Sequence, residues 1–205
     1  MRLTIDHHKQ QAWRVHGLVD DFELDEVWAY PIVADPAAGE DFARFVDMLS
    51  STGQPVGIAG LLLRVRFCLG RVFGWDEEDN THPIPGCVET SLRARLSDEE
   101  QRREEGLEAD PMGFQLVYQS ASERLVELSN STVHAALHVG WVARPDGMSG
   151  AEMAVYWKPR GWVGRLYMAL IKPFRVWLVY PSLMRKAASD WAARRSTSVA
   201  GANEN

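Results

Sequence analysis

The chain has little cysteine: two in 205 residues, Cys68 within an apolar run and Cys87 in a loop-like stretch. Two are too few for a disulfide framework, and a reducing, cytosolic (cytoplasmic) setting is the expectation. A basic excess is also missing, since 22 Lys and Arg against 28 Asp and Glu leave a formal charge of -6. Phosphate backbones reward positive surfaces, so nucleic acid is not an expected partner. Nor is there a long unbroken apolar run. The longest candidate, Trp162 to Met184, is interrupted by Arg165, Lys172, Pro173, Arg175 and Pro181, which argues against a transmembrane segment. The first residues mix His, Lys, Gln and Arg where an export signal needs an apolar stretch. No export is expected, and the Asn130-Ser131-Thr132 sequon carries no weight.

Chemical signatures are sparse as well. There is no Gly-x-Ser-x-Gly elbow, no Walker phosphate loop and no His-Glu-x-x-His, and Gly53, Gly57 and Gly60 lack dinucleotide-binding spacing. No cofactor and no metal are expected. Cys68 stands among Arg64, Arg66 and Arg71, which would lower a thiol pKa if they converged, but a buried structural cysteine is the commoner case.

What is present is ordinary globular composition, 46% hydrophobic and 24% charged, in a chain long enough to bury roughly 70% of its unfolded surface. Residues 1–24 read as an irregular N-terminal arm, and Glu26 to Ile32 as a first strand. Ala37 to Ser50 spaces Phe42, Phe45, Val46 and Leu49 three and four apart behind Glu40 and Asp41, the pattern of an amphipathic helix. Leu61 to Trp75 predicts a second, partly buried helix ending at Gly74. Residues 76–112 are acidic and Pro-rich, a solvated connection in which Leu92 and Leu96 return the chain to the core.

From Gly113 the apolar period becomes two. Residues 114–119, 124–128, 132–142 and 152–158 predict four strands, and their short turn-rich connections require an antiparallel meander. A long C-terminal helix follows, with Arg165, Lys172, Arg175 and Lys186 in one quadrant. Pro173 predicts a kink near Ala169 to Lys172 and Pro181 a second one. Residues 25–195 read as a single domain and 196–205 as a disordered tail.

Candidate site residues come from the strands and the strand–helix junction. His134 and His138 stand at metal-ligand spacing for a helix, but on a strand their rings lie roughly 13 Å apart and cannot share one ion. They alternate with Val133, Leu137, Val139 and Trp141, on a face of small residues with room for a ligand or for the terminal helix. Tyr156, Lys158, Arg165, Tyr167 and Lys172 flank the entrance where the last strand meets the helix, and there they would orient a carboxylate or a phenol.

The order of these elements resembles the helix-grip (SRPBCC-type) arrangement of START-like proteins: an α+β fold with a curved antiparallel sheet, two short helices and a long, proline-kinked C-terminal helix packed across it. Four phrases carry a more specific resemblance. Asp25 to Pro31, Leu69 to Asp76, Thr132 to His134 with Leu137 to Trp141, and Gly164 to Tyr167 with Ile171 to Phe174 are similar to the bacterial domain-of-unknown-function 2867 group. Members of that group occur alone or attached to dehydrogenase-like nucleotide-binding proteins, so the resemblance implies a dehydrogenase-like partner but no catalytic residues. Three functions stay open. One is a domain holding a small apolar molecule between sheet and C-terminal helix, with His134, His138, Tyr156 and Lys158 as fixing groups. The others are a cyclase- or hydrolase-type enzyme with a histidine general base, and an interaction or homodimer module using Trp141, Trp157 or the basic stripe.

Overall fold

The computed structural model describes residues 1–51, 91–103, 114–129 and 133–202. The predicted helix at Leu61 to Trp75, both cysteines and the sequon lie outside the described residues. Five strands form one sheet: β1 Glu23–Ala29, β2 Gln115–Gln119, β3 Glu123–Ser129, β4 Val133–Ala143 and β5 Ser149–Pro159. Their spatial order is β1-β5-β4-β3-β2, with every pair antiparallel. The meander expected from the period-two runs is therefore present, and the first strand closes it by pairing with the last. β1 begins at Glu23 rather than Glu26, because the alternation of Leu24 and Glu26 is resolved by a bulge between them against β5.

Turn chemistry explains the hairpins. Ser120 Oγ accepts the Glu123 amide at 3.0 Å in the β2–β3 turn, and Asp146 Oδ1 accepts the Met148 amide at 3.0 Å in the β4–β5 turn. Gly147 there has φ 80°, open to glycine without strain.

The helices are α1 Ile5–Lys9, α2 Phe42–Ser51, α3 Asp98–Arg103, α4 Gly161–Phe174 and α5 Tyr180–Ala202, with short 3₁₀ turns at Arg14–Gly17, Pro36–Ala38 and Leu92–Arg95. The expected helix from Ala37 starts five residues later. Pro36 and the left-handed Gly39 close a separate turn first, and Asp41 then caps α2 by accepting the Arg44 amide at 2.9 Å. The C-terminal segment breaks after Pro173 rather than before it. Arg175 N–H is shared between the Ile171 and Lys172 carbonyls, and Arg175–Val179 forms a wide π-helical turn before α5. Pro181 is the second residue of α5, directly after the π-helical turn. α5 runs to Ala202, into the segment expected as a tail.

Both sheet faces are covered. On one, Tyr180, Met184, Ala187 and Trp191 of α5 and Phe42, Phe45 and Val46 of α2 pack on Val139, Met153 and Val155. On the other, Val15, Leu18 and Val19 of the N-terminal segment and Leu92 and Leu96 pack on Val117, Leu125, Ala136, Ala154 and Tyr156. The N-terminal residues are thus a built-in cover rather than an irregular arm, and Leu92 and Leu96 return the chain to the core as expected. Among the described residues no helix is long and apolar enough to cross a membrane.

Candidate functional site

Strand alternation sends His134, His138 and Tyr156 to the face covered by the N-terminal segment, away from α5. The layer beneath α2 and α5 is closed by Tyr30, Phe45, Trp141 and Trp191, whose rings meet at 5.0–6.4 Å. None of the predicted site residues belongs to that cluster. Trp141 is accordingly half-buried under α2 and α5, and Trp157 is half-buried against Val133, Met168 and Ile171, so neither is a fully exposed ring on the sheet.

On the other face, β3 presents Glu123 and Glu127 against His138 and His134 of β4. The register pairs Glu123 with Gly140 and Glu127 with Ala136, so each glutamate meets a histidine on the diagonal, twice in succession. His134 Nε2 lies 2.6 Å from Glu127 Oε2, which also accepts the Leu92 amide at 3.0 Å, while Ser91 Oγ donates to Oε1. That set clamps the 91–103 segment onto the sheet.

The Glu123 set clamps the N-terminal segment. Its carboxylate accepts His138 Nε2 at 3.2 Å, Tyr118 Oη at 2.8 Å and the Arg14 amide at 3.0 and 3.1 Å. Burial opposes the ionised carboxyl, but these donors outweigh it and hold the group at about 2. A carboxylate only accepts, so His138 carries its proton on Nε2.

Around His138 the N-terminal segment supplies three more rings. His8 and Trp13 centroids each lie 5.3 Å from that of His138, and His16 lies 5.2 Å from His8. His8 Nε2 is 2.8 Å from Tyr156 Oη, whose other neighbour is His16 Nδ1 at 3.4 Å. The approach is tight: a Cβ at Gly140 would meet the Trp13 ring at 2.9 Å. Three buried nitrogens in this layer have no hydrogen-bond partner: His8 Nδ1, His138 Nδ1 and Trp13 Nε1. Burial, reinforced by the neighbouring imidazoles, pushes His8 down to about 3, and burial lowers His138 as well, so both rings are neutral at physiological pH. The layer therefore offers the His138 Nδ1 lone pair and one indole donor in an apolar wall.

These shifts predict how stability depends on pH. Below the ordinary value of 6.5 the unfolded chain protonates His8, while the folded chain resists down to about 3. Glu123 acts in the same direction between 4.5 and about 2. Unfolding free energy should hold steady at neutral pH and fall as pH drops below 6.5, with His8 alone contributing about 2 kcal/mol of loss by about pH 5. Urea titrations across pH measure this, and His8→Gln should flatten the upper part of the slope. A profile unchanged between neutral pH and about pH 5 would contradict the assignment.

The remaining predicted residues lie elsewhere. Lys158 pairs with Asp21 at 2.5 Å, Lys172 with Asp25 at 2.7 Å, and exposed Arg165 stands 3.8 Å from Glu23. Tyr167 packs on the small cluster of Val133, Met168 and Ile171. Acidic residues of the 21–25 segment thus tie down the entrance cations, and His138 and Tyr156 are the two predicted residues that meet in one site. Arg175, expected on the wet stripe, is buried by its 2.7 Å pair with Asp25. Sequence reasoning missed Glu123, His8, Trp13 and His16. Among the described residues, no group of three or more His, Cys, Asp and Glu could hold a metal ion.

Fold and site together define an α+β domain with a five-stranded antiparallel sheet, a long C-terminal helix and a buried His–Glu–Tyr layer under its N-terminal cover. The model of the family described as protein of unknown function (DUF2867) matches residues 18–182, and the chain belongs to that family. The matched span includes Glu123, His138 and Tyr156 and stops short of His8, Trp13 and His16. No curated protein and no solved structure gives a significant match to the chain.

Proposed function

We propose that this chain is a helix-grip, START-like domain that binds a small, mainly apolar molecule bearing a neutral hydroxyl. The binding place is the His138 layer beneath residues 1–22, rather than the space between sheet and C-terminal helix. One observation carries the reading: His8 Nδ1, His138 Nδ1 and Trp13 Nε1, all buried and without partners, belong to neighbouring rings. Unpaired buried polar atoms are costly, and one hydroxyl both donates to an imidazole and accepts from an indole. Neutral histidines favour such a group over a cation or an anion. Val15, Leu18, Leu125 and Ala154 supply the apolar wall.

The Glu123–His138 pair favours a second reading on the same atoms. A carboxylate holding Nε2–H leaves Nδ1 as the basic nitrogen, the arrangement of a general base in a cyclase- or hydrolase-type reaction. Binding is the simpler of the two, because it requires no second reacting group.

Thermal unfolding with a series of primary alcohols, 1-octanol among them, tests the binding reading. Alcohol at ten times its Kd should stabilise the wild type by about 1.4 kcal/mol and leave His138→Phe unaffected. Native mass spectrometry of the purified protein should show the same alcohol retained. Absence of any shift across the series, with nothing retained, would sink the proposal.

A further inference from the structure

The long C-terminal helix carries a feature that the proposed binding layer does not use. Nine large hydrophobic side chains are exposed among the described residues, and six of them stand together: Trp162, Leu166, Leu170, Phe174, Trp177 and Leu178. Five of the six recur every fourth residue, and at about 100° per residue such positions form one continuous stripe along α4 and the π-helical turn. The two tryptophans are the most exposed, at 75% and 79%. Met168 and Ile171, on the opposite side of α4, bury that helix against the sheet. The stripe therefore faces outward on a helix that is already fixed in place.

Its electrostatic setting differs from that of the rest of the molecule. Residues 158–186 contain Lys158, Arg160, Arg165, Lys172, Arg175, Arg185 and Lys186 and no Asp or Glu, in a chain whose net charge is -6. Asp21 and Asp25 pair with Lys158, Lys172 and Arg175 without cancelling all three charges, and Asp190 pairs with Lys186. Arg165 keeps only a 3.8 Å approach to Glu23, and Arg185 has no acidic partner among the described residues. A second copy of the chain docked by a two-fold would bring the same cations to the same interface. An anionic bilayer surface would not.

We propose that the α4 stripe is a docking face for an anionic membrane surface. Trp162, Trp177 and Phe174 enter the headgroup boundary, where aromatic rings are favoured, and Arg165 and Arg185 meet lipid phosphates. The domain lies on the membrane without crossing it, and the His138 layer, on a different surface, stays independent of this contact.

Co-sedimentation of the full chain with vesicles, together with tryptophan emission, tests the proposal. Vesicles of phosphatidylcholine mixed with phosphatidylglycerol should pellet the protein and shift its emission to the blue, and phosphatidylcholine alone should do so more weakly. Trp162→Ser with Trp177→Ser should weaken partition by about tenfold or more while leaving the unfolding temperature unchanged, because both rings are largely exposed. Arg165→Glu should weaken binding to the mixed vesicles and leave binding to neutral ones unchanged. The proposal is overturned if the wild type stays in the supernatant with mixed vesicles, or if the double tryptophan variant binds them as well as the wild type. It is equally overturned if the stripe supports a concentration-dependent dimer, abolished in that variant, with no vesicle binding.

Discussion

Glu123→Ala lowers the free energy of unfolding by about 3–5 kcal/mol, the largest loss expected from any single change in the candidate site. The carboxylate accepts the Arg14 amide, Tyr118 Oη and His138 Nε2, and all three would lose a charged partner in a buried place. The carboxylate also joins the N-terminal cover to the sheet, so the damage extends to the packing of Val15 and Leu18. In a chain of this size such a loss moves the unfolding temperature by about 10 °C. Glu123→Gln keeps an acceptor oxygen and should cost less than half as much. Thermal and urea unfolding read both, and a loss below about 1 kcal/mol for the alanine variant would mean that the N-terminal segment is held mainly by its apolar residues.

Asp25→Ala should cost a similar amount, about 3–5 kcal/mol, through a different mechanism. Asp25 is half-buried in β1, but its side chain is only 6% exposed and holds Arg175 at 2.7 Å in the π-helical turn, with Lys172 on its other oxygen. Removing the carboxylate strands the buried Arg175 guanidinium, whose Nε already lacks a partner. The penalty comes from the orphaned charge rather than from a strong net attraction. The double change Asp25→Leu with Arg175→Met should therefore recover most of the loss, since apolar replacement of both partners removes the desolvation cost as well. Recovery of less than about half would assign the effect to geometry at the β1–α4 junction instead.

The sheet was largely legible in the sequence because period two is a local signal, and Gly113 to Lys158 states it four times. The C-terminal helix was legible for the same reason, but the position of its irregularity was not. Pro173 removes a hydrogen bond at one place, and the irregularity follows directly after it, in the turn where Arg175 reaches Asp25. The site was only half readable. His138 and Tyr156 could be found by alternation, whereas Glu123 needed the β3–β4 register, which is set by tertiary pairing rather than by composition. Glu123 and Glu127 stand four apart, as do His138 and His134, and once the register is known the two diagonals follow at once. His8, Trp13 and His16 carried a weak signal, three polarisable rings in a short N-terminal stretch. Nothing local indicated that this stretch covers one face of the sheet while α5 covers the other. That placement is why the proposed binding site lies on the opposite side of the sheet from the one first expected.

The central claim is that His138 is a neutral imidazole, its Nε2–H held by Glu123 and its Nδ1 lone pair open within a buried layer. Long-range proton–nitrogen correlation NMR of the imidazoles at neutral pH tests it most directly. The account predicts a protonated Nε2, an unprotonated Nδ1, and a shift of the Nδ1 resonance on titration with 1-octanol. An imidazolium signature, a proton on Nδ1, or an Nδ1 resonance indifferent to the alcohol would contradict it.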